Sequence, residues 1–256
     1  MVGGKMVLRL YAGEAEKLEK ILLQEGAQKK GSNLVINGVT LSLYKRKLVI
    51  NAEDHALARF IVGFLTPIKP HGGSDEAGKG DLFGPLVVAG TFLEDQLAMR
   101  LAIDSKELSN GAVEKLAQFF KSKCQVVIEQ VLPHELTSNM NAVLLKLHLN
   151  VYEELDHCRP FYVDDFGATA QLRSHGLVPI YRGEVIPAVA AASVVARATF
   201  LNWLKEHNLP AGSSREAQQV AVNIASEQGC SALRNVAKAN FSLVRRLCVG
   251  GEQNLF

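Results

Sequence analysis

The sequence predicts an α/β protein in which a small sheet domain precedes a larger domain of interleaved strands and helices. Three observations carry that expectation. Apolar runs bounded by turn residues alternate with segments of helical periodicity along most of the chain. The stretch TPIKPHGG, 66–73, places two prolines and two glycines between two such series and reads as a linker. The charge also changes sign across it: residues 1–70 hold 11 Lys and Arg against 6 Asp and Glu, and residues 71–256 hold 17 against 20. A basic module joined to a slightly acidic one suits a grip on a polyanion beside a concentration of carboxylates.

In the first domain KMVLRLY, 5–11, reads as a short strand. GEAEKLEKILLQEG, 13–26, sets Leu18, Ile21 and Leu22 at helical spacing and offers Gly26 as a stop. NLVING, VTLSLYK and KLVINAE read as three further strands, turned at Asn37-Gly38 and then at the basic cluster Lys45-Arg46-Lys47. EDHALARFIVGFL, 53–65, is helical again. The order β-α-β-β-β-α gives a sheet with two helices on one face, and the other face is left free to lie on a ligand.

In the second domain LFGPLVVAGTFL is a long strand, followed by helices near 94–101 and 109–122. The strand CQVVIEQVL and the helix NMNAVLLKLHLNVYEEL come next. PFYVDDF, 160–166, and LVPIYRGE are strands that both end in acids. Pro187 stands where a helix start tolerates it, ahead of AVAAASVVARATFLNWLKEH. That helix is apolar nearly all round at its beginning and is expected to lie against the sheet. LPAGSSREAQQVAVNIAS supplies another helix, capped near Ser213 or Ser214, and the chain beyond about 247 reads as a loose tail. The domains are thus expected at 1–66 and 74–247, with 67–73 as linker and 248–256 as tail.

Hydrophobic residues at 48% and charged residues at 21% fit a cored globule and exclude a disordered chain. No charge-free apolar stretch reaches ~18–20 residues, so neither a membrane span nor a membrane partner is expected. The opening MVGGKMVLRL lacks the apolar region and cleavage site of a secretory signal. Cys124, Cys158, Cys230 and Cys248 are scattered without a CxxC pair. They read as isolated buried thiols in a reducing, cytoplasmic setting.

The stretch GSDEAGKGDLFGPLVVAG, 73–90, carries the chemistry. Asp75 and Glu76 lie at a strand end, as do the pair Asp164-Asp165 and Glu184. Side chains alternate along a strand, so Asp75 and Glu76 share a face only if the strand ends or bulges there, which Gly78 and Gly80 permit. Carboxylates gathered on one sheet edge cannot all stay ionised without a compensating cation. Mg²⁺ or Mn²⁺ with oxygen ligands is the natural compensation, and two such ions suit phosphodiester chemistry. The Gly78-Lys79-Gly80 turn lets a ligand backbone come close while exposed N–H groups meet phosphate or hydroxyl oxygens. It is not a P-loop, since GxxxxGK[ST] is absent.

These residues resemble the type 2 family of ribonucleases H. GSDEAGKGDLFGPLVVAG is similar to that family's opening Asp-Glu-x-Gly-(Arg/Lys)-Gly motif. IDSKELS, NMNAVLLKLH, YVDDF, GEVIPAVAAASVVAR and LPAGSS follow in the family order, so that the likeness covers roughly 71–245. Lys79, the GDLFGPL segment and the basic N-terminal extension resemble the ribonuclease HIII branch. The fold implied is a ribonuclease H-like catalytic domain with a mixed central sheet and flanking helices. A small α+β domain similar to half of a TATA-binding protein precedes it. The resemblance implies an endonuclease that hydrolyses the RNA strand of RNA–DNA hybrids with two Mg²⁺ or Mn²⁺ ions, leaving 5′-phosphate and 3′-hydroxyl ends. The acids it implies as catalytic and metal-binding are Asp75, Glu76, Asp164 and Glu184. Asp165 stands where the family often has Gln, and the sequence leaves open which of Asp164 and Asp165 binds metal.

The resemblance further implies that Gly78, Lys79 and Gly80 read the ribose 2′-hydroxyl, with Ser105, Lys106 and Lys238 near the substrate. Lys238 belongs to VAKANFSLVRR, which lacks the family's usual His. Asp81 and His148 read as structural, His148 as a packed core residue, and His71 has no assigned role. The closing EQNLF resembles the motif by which replication proteins dock on a bacterial sliding clamp, implying a weak contact there. A monomer is expected. Two alternatives stay open: cleavage at single ribonucleotides embedded in duplex DNA, and a nucleic-acid-binding protein without catalysis.

Overall fold

The computed structural model describes residues 4–136, 139–156 and 158–249. The first sheet is formed by β1 (Met6–Arg9), β2 (Gln28–Lys30), β3 (Asn33–Ile36), β4 (Val39–Leu43) and β5 (Lys47–Ile50). Helix α1 (Glu14–Gln24) follows β1, and α2 (His55–Val62) follows β5. The strands pair antiparallel in the order β1-β5-β4-β3-β2. Alternation turns Met6, Leu8, Leu34, Ile36, Leu41, Leu48 and Ile50 inward against Leu18 and Leu22 of α1 and Ile61 of α2. The opposite face carries Val7, Val49, Ser42 and Asn33 in one half-buried cross-strand row. The β3–β4 turn is the expected Asn37-Gly38, both with positive φ (51° and 79°), as a two-residue hairpin turn requires.

Strand β2 was not expected. Gln28, Lys29 and Lys30 are all exposed, so no apolar alternation marks them. Their strand exists through pairing with β3, Gln28 opposite Val35 and Lys30 opposite Asn33.

The second sheet comprises β6 (His71–Ala77), β7 (Leu86–Leu93), β8 (Gln125–Val131), β9 (Phe161–Asp164) and β10 (Val178–Ile180). Its order is β10-β9-β6-β7-β8, with β9 parallel to both β6 and β10, and with β7 and β8 antiparallel. The sheet is mixed, as expected. The helices are α3 (Gln96–Leu101), α4 (Asn110–Lys123), α5 (Met140–Glu154), α6 (Thr169–Ser174), α7 (Pro187–Glu206), α8 (Arg215–Val236) and α9 (Ser242–Val249). Short α6 was missed because Leu172 is its one buried residue, too little for a periodic signal.

Strand β6 begins inside the stretch that reads as linker. A Cβ on Gly72 would lie 2.4 Å from the Phe161 ring, and one on Gly73 2.8 Å from the Val189 nitrogen. These glycines serve close packing of strand on strand and helix on sheet rather than flexibility. Helix α7 crosses that face with Ala188, Ala190, Ala191 and Ala192 fully buried, and α5 covers the other with Leu144, Leu147 and Val151.

One cysteine expectation is corrected. Cys230 on α8 and Cys248 on α9 form a disulfide, their Cα atoms 5.2 Å apart. The chain folds back between the two helices, which brings together thiols that look isolated in sequence. Cys124 and Cys158 are free and half-buried. Helix α9 runs to Val249, into the stretch expected as tail, and EQNLF lies outside the described residues.

The two sheets share an interface. Arg100, fully buried, meets Glu14 through two parallel bonds of 2.6 and 2.8 Å and donates to the Thr66 and Arg9 carbonyls. Burial alone would raise the Glu14 pKa, but Arg100 and the N–H groups of Tyr11 and Thr66 outweigh it and hold the carboxyl below its ordinary value. Gln96 exchanges two hydrogen bonds with the backbone of Ile68, and Arg59 pairs with Asp95 at 2.8 Å.

Candidate active site

The expected acids meet because β6 and β9 are parallel neighbours. Their C-terminal ends lie at one edge of the sheet, so Asp75 and Glu76 on β6 come beside Asp164 on β9. Glu184 follows β10, the strand beyond β9, in the 3-10 turn Gly183–Val185. This topology closes the long sequence separation between the first two acids and the others.

Strand β6 neither ends nor bulges at the acid pair. Its register with β7 continues through Asp75 opposite Ala89, Glu76 opposite Val88 and Ala77 opposite Val87. The two carboxylates therefore leave opposite faces. Asp75 points toward α7, where the Ser193 hydroxyl works against the rise of its pKa. Glu76 points toward α5, with its Oε2 3.7 Å from His148 Nε2. They still share an electrostatic site, because β6 runs only one residue further, to Ala77, and the charge of Glu76 helps raise the Asp75 pKa.

Burial pushes the Asp75 pKa up to about 8, aided by the charges of Glu76 and Asp164 and opposed by Ser193. Asp164 is also raised, first by burial and then by Glu76 and Glu184, although the Gly183 N–H donates to its Oδ1 at 2.6 Å. Burial would raise Glu76 too, but His148 and the Lys79 ammonium at 3.6 Å overcome it and lower the pKa. At 3.7 Å the His148 contact is electrostatic rather than a hydrogen bond. Glu76 Oε2 and His148 Nε2 are both buried without hydrogen-bond partners.

A buried orphan oxygen beside two carboxyls that resist ionisation suits a cation. The donors are all hard carboxylate oxygens, and they fit Mg²⁺ or Mn²⁺. Among the described residues no three His, Cys, Asp or Glu side chains form a finished ion cage. Protein side chains face the acids instead: the Lys79 ammonium and the His148 ring at Glu76, and the Lys106 ammonium at 3.8 Å from Glu184.

Asp164 and Asp165 are now distinguished. Asp164 faces Glu76, Glu184 and the Gly183 N–H. Asp165 turns away, accepting from Thr169 Oγ1 at 2.7 Å and the Gly167 N–H at 3.0 Å, which lower its pKa.

A cavity of about 630 Å³ opens over Asp75, Glu76 and Asp164, lined also by Gly78, Lys79, Gly80, Ser105 and Lys106. Glu184 lies instead in the adjoining interdomain cleft of about 730 Å³, beside Tyr44, Lys45, Arg46 and Lys47. The two glycines of the turn differ. Gly78 has φ +89°, and a Cβ there would lie 2.3 Å from the Pro85 carbonyl oxygen, whereas a Cβ on Gly80 meets nothing within 4 Å. Gly78 is needed by the fold, and Gly80 faces open space.

Lys238 requires correction as a substrate contact. It is fully buried and donates to the Asp81 and Phe83 carbonyls at 2.9 and 2.7 Å. Burial pushes its pKa down to about 7 against the opposing Asp81 charge. It pins the backbone just after the glycine turn. Asp81 accepts from the Gly212 N–H, which fits its structural reading.

Two residues carry no expectation from the sequence, Ser193 and Arg197. Ser193 bonds Ser105 Oγ at 3.0 Å and favours the ionised form of Asp75, and Arg197 donates to the Ser105 carbonyl. Their signal was available: two polar residues four apart in an otherwise apolar helix share one face. His148 is buried as expected, stacks on Phe166 and bonds Ser74 Oγ at 2.8 Å, yet it also faces Glu76.

The family model described as Ribonuclease HII matches residues 72–244. Ribonuclease HIII of Protochlamydia amoebophila (strain UWE25) is 31% identical over 283 residues, spanning 89% of this chain and 91% of that protein. This chain belongs to the ribonuclease HII family, in its HIII branch. The branch follows from reach, since the likeness to the HIII relative extends past the matched family segment into the N-terminal domain. Bst-RNase HIII in complex with Mn²⁺ shares the fold at TM-score 0.63 and 17% identity, over 98% of this chain and 100% of that one. The RNase HII of a PCNA:RNase HII complex from Archaeoglobus fulgidus matches 67% of this chain and 95% of its own, with TM-score 0.60 and 25% identity. The expected ribonuclease H-like architecture, preceded by a small antiparallel-sheet domain, is borne out.

Proposed function

We propose that the protein is a metal-dependent endonuclease that hydrolyses the RNA strand of RNA–DNA hybrids to 5′-phosphate and 3′-hydroxyl ends. The convergence of Asp75, Glu76 and Asp164 at one sheet edge, beside the open Gly80, carries this reading. Asp75, Glu76, Asp164 and Glu184 would hold two Mg²⁺ or Mn²⁺ ions. When bound, such ions activate a water and stabilise the leaving oxygen of a phosphodiester.

The chain's own groups do the rest. Ser193 orients the Asp75 carboxylate, and the Gly183 N–H orients Asp164. Gly80 lets a ribose approach the backbone, where a 2′-hydroxyl can be told from hydrogen. Lys79 and Lys106 face phosphates once they leave Glu76 and Glu184. The basic cluster Lys45–Lys47 extends the path for the hybrid beside Glu184. We read the protein as a monomer with a weak sliding-clamp contact at EQNLF, and the complex of PCNA with RNase HII from A. fulgidus lends support to a clamp partner.

Asp75→Asn tests the assignment. Cleavage of a long hybrid in Mn²⁺ should fall by a factor of about 10³ or more, with hybrid binding retained. Parental turnover in that variant would end the proposal. Comparing the hybrid with a duplex that carries one ribonucleotide distinguishes HIII-like from HII-like specificity. Absence of metal-dependent cleavage of either substrate by the parent protein would leave a binding protein.

A further inference from the structure

Asp75, Glu76 and Asp164 sit on strands whose ladder bonds hold their backbone. Glu184 lies instead on a single 3-10 turn, entered through Arg182 at φ 53°. The cation opposite its carboxylate, Lys106, is 3.8 Å away with a side chain 78% exposed, a pair too weak to fix a position.

The turn is held from the other domain. Arg9, on β1, donates from Nη2 to the Glu184 carbonyl at 2.9 Å and from Nη1 to the Val185 carbonyl. Its Nε and Nη2 also donate to the Ala102 carbonyl at 3.0 and 2.7 Å. Ala102 leads into the stretch that carries Ser105 and Lys106. One planar guanidinium thus joins two separate segments beside the carboxylates, which a flexible ammonium cannot reproduce. Arg9 is itself fixed, since it pairs with Lys47 in the sheet and its carbonyl accepts from buried Arg100 at 3.1 Å.

We propose that Arg9 is a positioning residue for the metal site: by holding the Glu184–Val185 turn, the N-terminal domain sets the place of the fourth acid. The site is completed across the domain interface, and the N-terminal domain contributes more than a grip on substrate. This rests on the reading of Glu184 as a metal ligand given above.

The test uses full-length Arg9→Met, Arg9→Lys and Glu184→Gln beside the parent. Mn²⁺ binding to the metal-free protein is followed by calorimetry without nucleic acid, and hybrid binding by anisotropy in EDTA. Arg9→Met should weaken Mn²⁺ binding about tenfold or more while hybrid affinity in EDTA stays within about twofold, the pattern of a lost outer-shell support. The Mn²⁺ concentration for half-maximal cleavage should rise in step, and Arg9→Lys should recover little. Unchanged Mn²⁺ affinity in Arg9→Met, with a loss in Glu184→Gln, overturns the proposal. A loss of hybrid affinity as large as that of Mn²⁺ affinity also overturns it, by making Arg9 a substrate contact. If Glu184→Gln leaves Mn²⁺ binding unmoved, the ligand reading of Glu184 fails first and this inference falls with it. Should Arg9→Met not fold, Arg9→Lys carries the same comparison.

Discussion

Gly78 and Gly80 look equivalent in the sequence, and the structure gives them different tasks. Gly78→Ala forces a Cβ at φ +89° into the Pro85 carbonyl oxygen. Urea denaturation should show a loss on the order of 1–3 kcal/mol. Gly80→Ala places a methyl where nothing lies within 4 Å, so its unfolding midpoint should match the parent's. Its kcat/KM on a hybrid should nevertheless fall about tenfold, because the methyl stands where a ribose would approach. Parental kcat/KM in Gly80→Ala would remove that glycine from substrate recognition. The acids themselves were legible as residues, but which of Asp164 and Asp165 turns away from the other carboxylates was not. It depends on Thr169 and Gly167 capturing the second carboxylate, a contact made by a helix that carried no sequence signal. Lys238 differs from expectation for a related reason: a lysine in a family segment looks like a substrate contact until its burial is seen.

At the scale of elements, long periodic segments were readable and polar or short ones were not. Helix α7 announced itself through its apolar run and Pro187, whereas β2 had nothing but charge and amide to show. The junction of β6 with α7 supplies a titration test. His71 is buried, its Nδ1 bonded to the Lys69 carbonyl at 2.8 Å and its Nε2 accepting from the Ala188 N–H at 3.3 Å. Burial lowers its pKa below the ordinary 6.5, against the Lys69 carbonyl. Because the unfolded chain takes up the proton first, His71 contributes its full stability above 6.5 and loses it as pH falls through the folded value. Protonation also removes the acceptor from the start of α7 and sets a positive charge at a helix N-terminus. Urea midpoints from pH 7.5 to 5 should fall more steeply for the parent than for His71→Gln. Parallel slopes would count against the account.

At the scale of the whole molecule, the change in charge at residue 70 marked two modules but said nothing of how firmly they join. Arg100 and Glu14 decide that, and neither stands out in sequence. Glu14→Gln leaves a buried guanidinium without its counter-charge, and should cost about 3–5 kcal/mol in urea unfolding. A loss under about 1 kcal/mol would mean that water reaches the pair after all. The sheet topology was likewise hidden, since the parallel pairing of β6 with β9 spans the domain and leaves no local trace. It is nevertheless what turns scattered acids into a site. One consequence of the regular β6–β7 ladder concerns insertions and deletions. Asp75 and Glu76 leave opposite faces of an unbroken strand, so a slip of one residue would exchange them, sending an aspartate toward His148 and a glutamate toward Ser193. The chain between His71 and Ala77 is therefore held in count as well as in identity, and cleavage activity becomes a gauge of whether that strand has threaded in its proper frame.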